Sequence, residues 1–153
     1  MSAGEGLGTG WALAWVRGSA AVVEEQRAAL SALDRAIGDG DHGENLARGF
    51  QAVLAKLDDA TPETPGAVLK LVATTLISTV GGASGPLLGT AYLKGAQAAG
   101  DAERLDAAAV VAVLTAARDG VVTRGKAEPG DKTMLDAWTP AVDAGAAAQA
   151  AGA

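Results

Sequence analysis

Three carboxylates, Asp34, Asp39 and Asp41, stand close together in the stretch Leu33-Asp34-Arg35-Ala36-Ile37-Gly38-Asp39-Gly40-Asp41-His42-Gly43-Glu44-Asn45. The intervening glycines, Gly38 and Gly40, let the backbone turn so that all three can converge. Carboxylates brought that close shift one another's pKa unless a cation sits between them. A compact set of hard oxygens suits Mg²⁺, which prefers octahedral oxygen coordination and is commonly shared with substrate phosphates. The spacing is too short for an EF-hand loop, and no G-x-x-x-x-G-K-[ST] phosphate loop occurs. An ordinary polar loop in which Asp41 caps the next helix also accounts for Asp-Gly-Asp taken alone. Asp34 argues against that reading, because an acid at the apolar end of a helix is costly unless it is paired.

Anion chemistry lies next door. His42 and Asn45 open the helix that follows, where free N–H groups and the helix dipole favour negative charge. Gly81-Gly82-Ala83-Ser84-Gly85-Pro86 repeats the arrangement, a glycine-rich loop with a hydroxyl feeding a helix start. A third break, Arg124-Gly125-Lys126 through Gly130-Asp131-Lys132-Thr133-Met134, adds cations. Each has a plainer reading: a hydrogen-bonded structural histidine, a common turn, a solvated loop. Together, two anion-ready helix starts and one acidic cluster describe a metal-bridged polyphosphate site.

The elements that must position these residues read as helices. Val23, Leu30, Leu33 and Ile37 fall at helical spacings and predict a first amphipathic helix ending near Gly38. Leu46, Phe50, Val53, Leu54 and Leu57 predict a second, stopped by Asp58-Asp59 and Thr61-Pro62-Glu63-Thr64-Pro65. A third, from about Gly66 to Val80, is nearly free of charge and therefore expected at the centre. A fourth runs from Pro86, a first-turn residue, to about Ala99. Val110, Val113, Leu114, Ala117 and Val121 stripe a fifth, over Asp106 to Val122. Asp131 is placed to cap a sixth, carrying Leu135, Trp138 and Val142. No segment alternates as a half-buried strand does. The expected architecture is a single all-α domain over 1–153, an antiparallel bundle of about six amphipathic helices. Residues 1–18 are expected to be flexible, and the tail from Gly145 has no large apolar residue to hold it.

Composition narrows the classes. The 153 residues include 37 Ala and 21 Gly, so the core is built from closely approaching elements. A net charge of −6 and only five aromatic residues provide neither a basic stripe nor a stacking platform for nucleic acid. The absence of cysteine excludes disulfides and thiol chemistry and fits a reducing compartment. The longest unbroken apolar run, Ala107 to Leu114, is far short of a spanning helix. The N-terminus lacks the basic segment of a signal peptide, so a cytoplasmic protein is expected.

Leu33-Asp34-Arg35-Ala36-Ile37-Gly38-Asp39-Gly40-Asp41-His42-Gly43, with Asn45 and Ala47-Arg48-Gly49-Phe50, resembles the signature of the L subunit, or L domain, of dihydroxyacetone kinases. Val80-Gly81-Gly82-Ala83-Ser84-Gly85-Pro86-Leu87 with Gly89-Thr90, and Arg124-Gly125-Lys126-Ala127-Glu128-Pro129-Gly130-Asp131-Lys132-Thr133-Met134, are similar to that family in the same order. The resemblance implies an eight-helix antiparallel barrel that holds a nucleotide diphosphate through two Mg²⁺ ions at one end. Asp34, Asp39 and Asp41 match the metal ligands. His42, Gly43, Glu44, Asn45, Ala83, Ser84, Gly125 and Met134 fall where the family contacts nucleotide, Glu44 through its backbone and Met134 against the adenine face.

The implied reaction is phosphoryl transfer to dihydroxyacetone held on a separate K subunit. In the phosphotransferase-system form, bound ADP is rephosphorylated by an M subunit; in the other form, ATP is the donor. A chain without a fused K domain favours the first form, and a homodimer stays open. Nothing after Met134 resembles the family's C-terminal segment, an Arg-containing glycine-rich turn and a late Asp-Pro-Gly, so the domain is expected to be short at its C-terminal side, with six of eight helices. Two further readings are an L-like kinase domain for another acceptor, such as protein-bound fatty acid, and a non-catalytic partner-binding module.

Overall fold

A computed structural model describes residues 6–152. Seven helices fill that span: α1 (Thr9–Glu25), α2 (Arg27–Arg35), α3 (His42–Ala60), α4 (Pro65–Thr79), α5 (Ser84–Ala99), α6 (Ala107–Gly125) and α7 (Leu135–Ala150). Among the described residues the only β pairing is a single bridge between Leu7 and Leu105. The fold is all-α, as expected. No helix among the described residues is long and apolar enough to cross a membrane.

Local chemistry sets the boundaries. Thr64 caps α4 by accepting from the Ala67 N–H at 3.1 Å, with Pro65 at the first helical position. The Asp106 carboxylate caps α6 through the Ala109 N–H at 2.8 Å. Pro86 lies in the first turn of α5, where a missing N–H costs no helical bond. The charge-poor α4 is central: Val68, Leu69, Val72, Ala73, Thr75 and Leu76 are fully buried. It packs against α5, and α5 against α6, with α1 lying on α3 and α4, α2 on α3, and α7 on α6. Small residues allow these approaches. A Cβ at Gly89 would overlap the Ile77 side chain, and one at Gly120 would crowd Lys94 and Thr90. An apolar groove of about 580 Å³, lined by Trp11, Trp15, Tyr92 and Trp138, separates α1 from α6 and α7.

Two expectations are corrected. Before them in the chain stands a helix that the apolar spacing does not mark: α1 begins at Thr9, and Ala12 and Val16 are completely buried. Alanine and glycine there weaken the apolar contrast by which a helix is read, while still filling the interface. Residues 1–5 lie outside the described residues. The stripe Val23–Ile37 is not one helix, because the chain breaks at Gln26, and Leu33 and Ile37 face solvent. Asp131 does not cap the last helix, which starts at Leu135; its carboxylate accepts instead from the Glu128 N–H at 2.9 Å. The described residues therefore form seven helices, where about six were expected.

Candidate functional site

The chain alternates direction from α3 to α7, so the start of α3, the end of α4, the start of α5, the end of α6 and the start of α7 share one end of the bundle. The end of α2 joins them. There the chain leaves the helix through a tight turn in which the Ile37 and Gly38 N–H groups both return to the Asp34 carbonyl oxygen. Gly40 then takes a positive φ of 76°, available to glycine without strain. This reversal wraps the backbone around the Asp34 side chain. Its Oδ2 accepts from the N–H groups of Gly40, Asp41 and His42 at 3.0, 3.1 and 3.3 Å.

Asp34, Asp39 and Asp41 each offer an oxygen within 4.8 Å of the others. Their electrostatics show the crowding. Asp39 is pushed above the ordinary carboxylate range by its hydrogen bond with Asp41 and by that neighbour's charge. Asp41 is held below that range because it accepts from Asp39 and from Asn45. Two carboxylates this close have oxygens to offer a hard cation, which relieves the repulsion directly. Asp34 fits the same role, because its second oxygen stays outside the three backbone bonds.

The two helix starts meet. His42, first residue of α3, and Ser84, first residue of α5, lie with Nδ1 and Oγ 3.2 Å apart. Gly43 sits where α2 crosses α3 so closely that a Cβ would overlap the Arg27 carbonyl oxygen. Glu44 turns outward to Arg27 at 3.7 Å, which leaves its backbone at the helix start. Asn45 accepts from the Arg48 guanidinium at 2.7 Å. Ala83, exposed, precedes Ser84 at the N-terminal boundary of α5.

Gly125 ends α6, and a Cβ there would stand 3.0 Å from the Leu87 side chain in the first turns of α5. Met134 is half-buried with Leu87 and Trp138 against Ala91, Ala117 and Val121, at the junction of α5, α6 and α7. The residues singled out in the sequence therefore gather at one end, with Met134 engaged in packing. Asp136 was missed. Its carboxylate accepts from the Gly130 N–H at 2.7 Å and the Lys132 N–H at 2.9 Å, shaping the loop that leads to Met134. Its signal was an acid in the first turn of a helix.

Comparison with known proteins gives the chain its family. Residues 36–153 match the DAK2 domain. The ADP-binding subunit of a PEP-dependent dihydroxyacetone kinase from Listeria innocua is 44% identical over 134 residues, which are 88% of this chain and 67% of that protein. The corresponding Escherichia coli subunit is 48% identical over 114 residues, 74% of this chain and 54% of that protein. The chain thus spans roughly half to two thirds of the length of these relatives. A crystal structure of the dihydroxyacetone kinase of C. freundii shares the fold, with a TM-score of 0.73 at 24% identity over 94% of this chain and 26% of that one. A match over most of the chain, with the acidic loop and both helix starts assembled at one end, makes this protein a member of the DAK2 domain family.

Proposed function

We propose that this chain is the nucleotide-binding part of a dihydroxyacetone kinase, holding ADP or ATP with Mg²⁺ and transferring a phosphoryl group to dihydroxyacetone carried by a partner K subunit. The observation that carries this reading is the His42–Ser84 contact, which pins two helix N-termini together beside three convergent carboxylates. Phosphoryl transfer asks little covalent work of a protein and much positioning, together with neutralisation of charge. The main-chain N–H groups at His42–Asn45 and at Ala83–Ser84 would cradle phosphate oxygens. Gly125 and Met134 would line the nucleotide's other side, the Met134 thioether meeting the adenine face.

Asp34, Asp39 and Asp41 would hold Mg²⁺, two ions in the family arrangement; when bound, the metal supplies charge neutralisation on the phosphates. Asp34, tied down by three backbone donors, would keep the other two in register. Relatives named as ADP-binding subunits of PEP-dependent enzymes favour the phosphotransferase form, in which an M subunit restores the phosphoryl group. A chain free of cysteine suits work in the cytoplasm.

Titration calorimetry with ADP tests this directly. The expected outcome is Mg²⁺-dependent binding that is lost in Asp39→Asn. Tight binding that survives the substitution overturns the metal assignment, and no binding at all favours a non-catalytic partner-binding module. Mass analysis of the native protein separates the two donor forms: co-purified ADP indicates a nucleotide kept as cofactor, and an empty chain indicates exchange with ATP.

A further inference from the structure

The segment Ala47-Arg48-Gly49-Phe50 carries one charge, and its helix fixes where that charge lies. Ala47, Gly49 and Phe50 are buried, and a Cβ on Gly49 would overlap the Val80 side chain. Helix α3 is thus pressed against the end of α4, and Arg48 is left on the exposed side. Glu44, four residues earlier, is the partner that helix geometry offers an arginine there. Glu44 instead turns to Arg27 at 3.7 Å, and among the described residues Arg48 forms no ion pair. Its guanidinium leans toward the start of the helix and donates to the Asn45 side-chain oxygen at 2.7 Å.

Asn45 links the two halves of the candidate site. Its main-chain N–H donates to the Asp41 carbonyl oxygen at 2.9 Å, and its side-chain amide donates to the Asp41 carboxylate. The same amide nitrogen faces the loop before α5, where a Cβ on Gly81 would stand 3.9 Å from it. A carboxamide has donors at one end and an acceptor at the other, and the two ends are close in size. A flip therefore costs only its hydrogen bonds, and it would set an acceptor against Asp41 and against any phosphate held at Ala83–Ser84. A guanidinium has donors and no acceptor, so Arg48 engages the oxygen alone, through a charge-assisted bond.

We propose that Arg48 is a positioning residue of the nucleotide site: by holding the Asn45 side-chain oxygen, it keeps the amide N–H groups turned toward Asp41 and the phosphate cradle. This rests on the function proposed above and assigns a part in it to a residue that acts through its neighbour. The two N–H groups then divide between the halves of the site. One holds Asp41 in the acidic loop, and the other is left to donate to a phosphate oxygen beside the start of α5.

The test uses the full chain with two variants. Arg48→Met keeps the aliphatic stem and removes every donor, and Arg48→Lys keeps the charge and a donor. Nuclear magnetic resonance of the ligand-free protein follows the Asn45 side-chain amide, identified by its absence in Asn45→Ala. Calorimetry gives the Mg²⁺–ADP affinity, and circular dichroism the helicity. In Arg48→Met the Asn45 amide signals are expected to shift and to exchange faster with solvent, with helicity at the wild-type level. Mg²⁺–ADP affinity is expected to fall about three- to tenfold. Arg48→Lys is expected to recover part of both changes. In the Asn45→Ala background, adding Arg48→Met is expected to change the remaining affinity by less than about twofold.

An Asn45 signal that does not respond to Arg48→Met overturns the proposal, as does an unchanged affinity. A loss of equal size in the Asn45→Ala background overturns it in favour of a direct effect of the guanidinium charge on the phosphates. Loss of helicity in Arg48→Met overturns it by assigning the residue to the fold. A wild-type chain that binds no Mg²⁺–ADP refutes the proposed function together with this role. One that binds it while Asn45 is indifferent to Arg48 refutes the role alone.

Discussion

At position 43 there is no room for a methyl group. A Cβ on Gly43 would overlap the Arg27 carbonyl oxygen and stand 2.7 Å from Ser31 Oγ, so α2 would have to move off α3. Asp34 belongs to α2 and organises the acidic loop through its backbone bonds. Gly43→Ala is therefore expected to cost about 1–3 kcal/mol in urea denaturation and to weaken Mg²⁺–ADP binding along with it. Ser31→Ala is the contrasting case. The Ser31 hydroxyl is buried without a hydrogen-bond partner, so its removal relieves an unsatisfied group. Denaturation is expected to show no loss of stability for this variant; a loss as large as that of Gly43→Ala would mean that the hydroxyl has a partner.

The loop between α6 and α7 is held together around the charge of Asp136. Asp136 is held below the ordinary carboxylate range because the Gly130 N–H donates to it, as do those of Lys132 and Thr133. A carboxyl whose folded pKa is depressed adds stability above its unfolded pKa and loses it as pH falls through the folded value. The loop is therefore expected to loosen only below about pH 4. Amide exchange at Gly130 and Lys132 checks this, and Asp136→Asn should exchange faster at neutral pH with the acid-dependent step removed. Asp136 was hard to read in the sequence, because its partners lie on the N-terminal side of its own helix and depend on how the loop turns.

The same distinction runs through the other elements. Helices α3, α4, α5 and α6 were legible because large apolar side chains repeat every three or four residues between Pro, Thr and Gly punctuation. Helix α1 was not, since Ala12, Val16 and Ala20 bury a face with little hydrophobic contrast. The break at Gln26 carries neither Gly nor Pro, so nothing local announces it. The convergence of Asp34, Asp39 and Asp41 followed from short spacing and glycines. The His42–Ser84 contact spans 42 residues of sequence and exists only through the packing of α3, α4 and α5.

At the scale of the whole molecule, the alternation of helix direction gathers five element ends at one pole and leaves the Leu7–Leu105 bridge and the Thr9–Glu63 hydrogen bond at the other. A ligand held as proposed at the first pole would touch loops far apart in sequence, those flanking α5, α6 and α7 being connected through the Leu87, Met134 and Trp138 cluster. Binding to the folded state alone stabilises it by mass action, about 2.7 kcal/mol at a hundredfold excess over Kd. Mg²⁺–ADP is therefore expected to raise the melting temperature and to slow amide exchange together at the starts of α3 and α5 and across residues 126–134. Amides around Leu7 and Leu105 should change only as far as global stability requires. Protection confined to the acidic loop would detach Gly125 and Met134 from the nucleotide, because a site built from both halves of this pole must slow exchange in both.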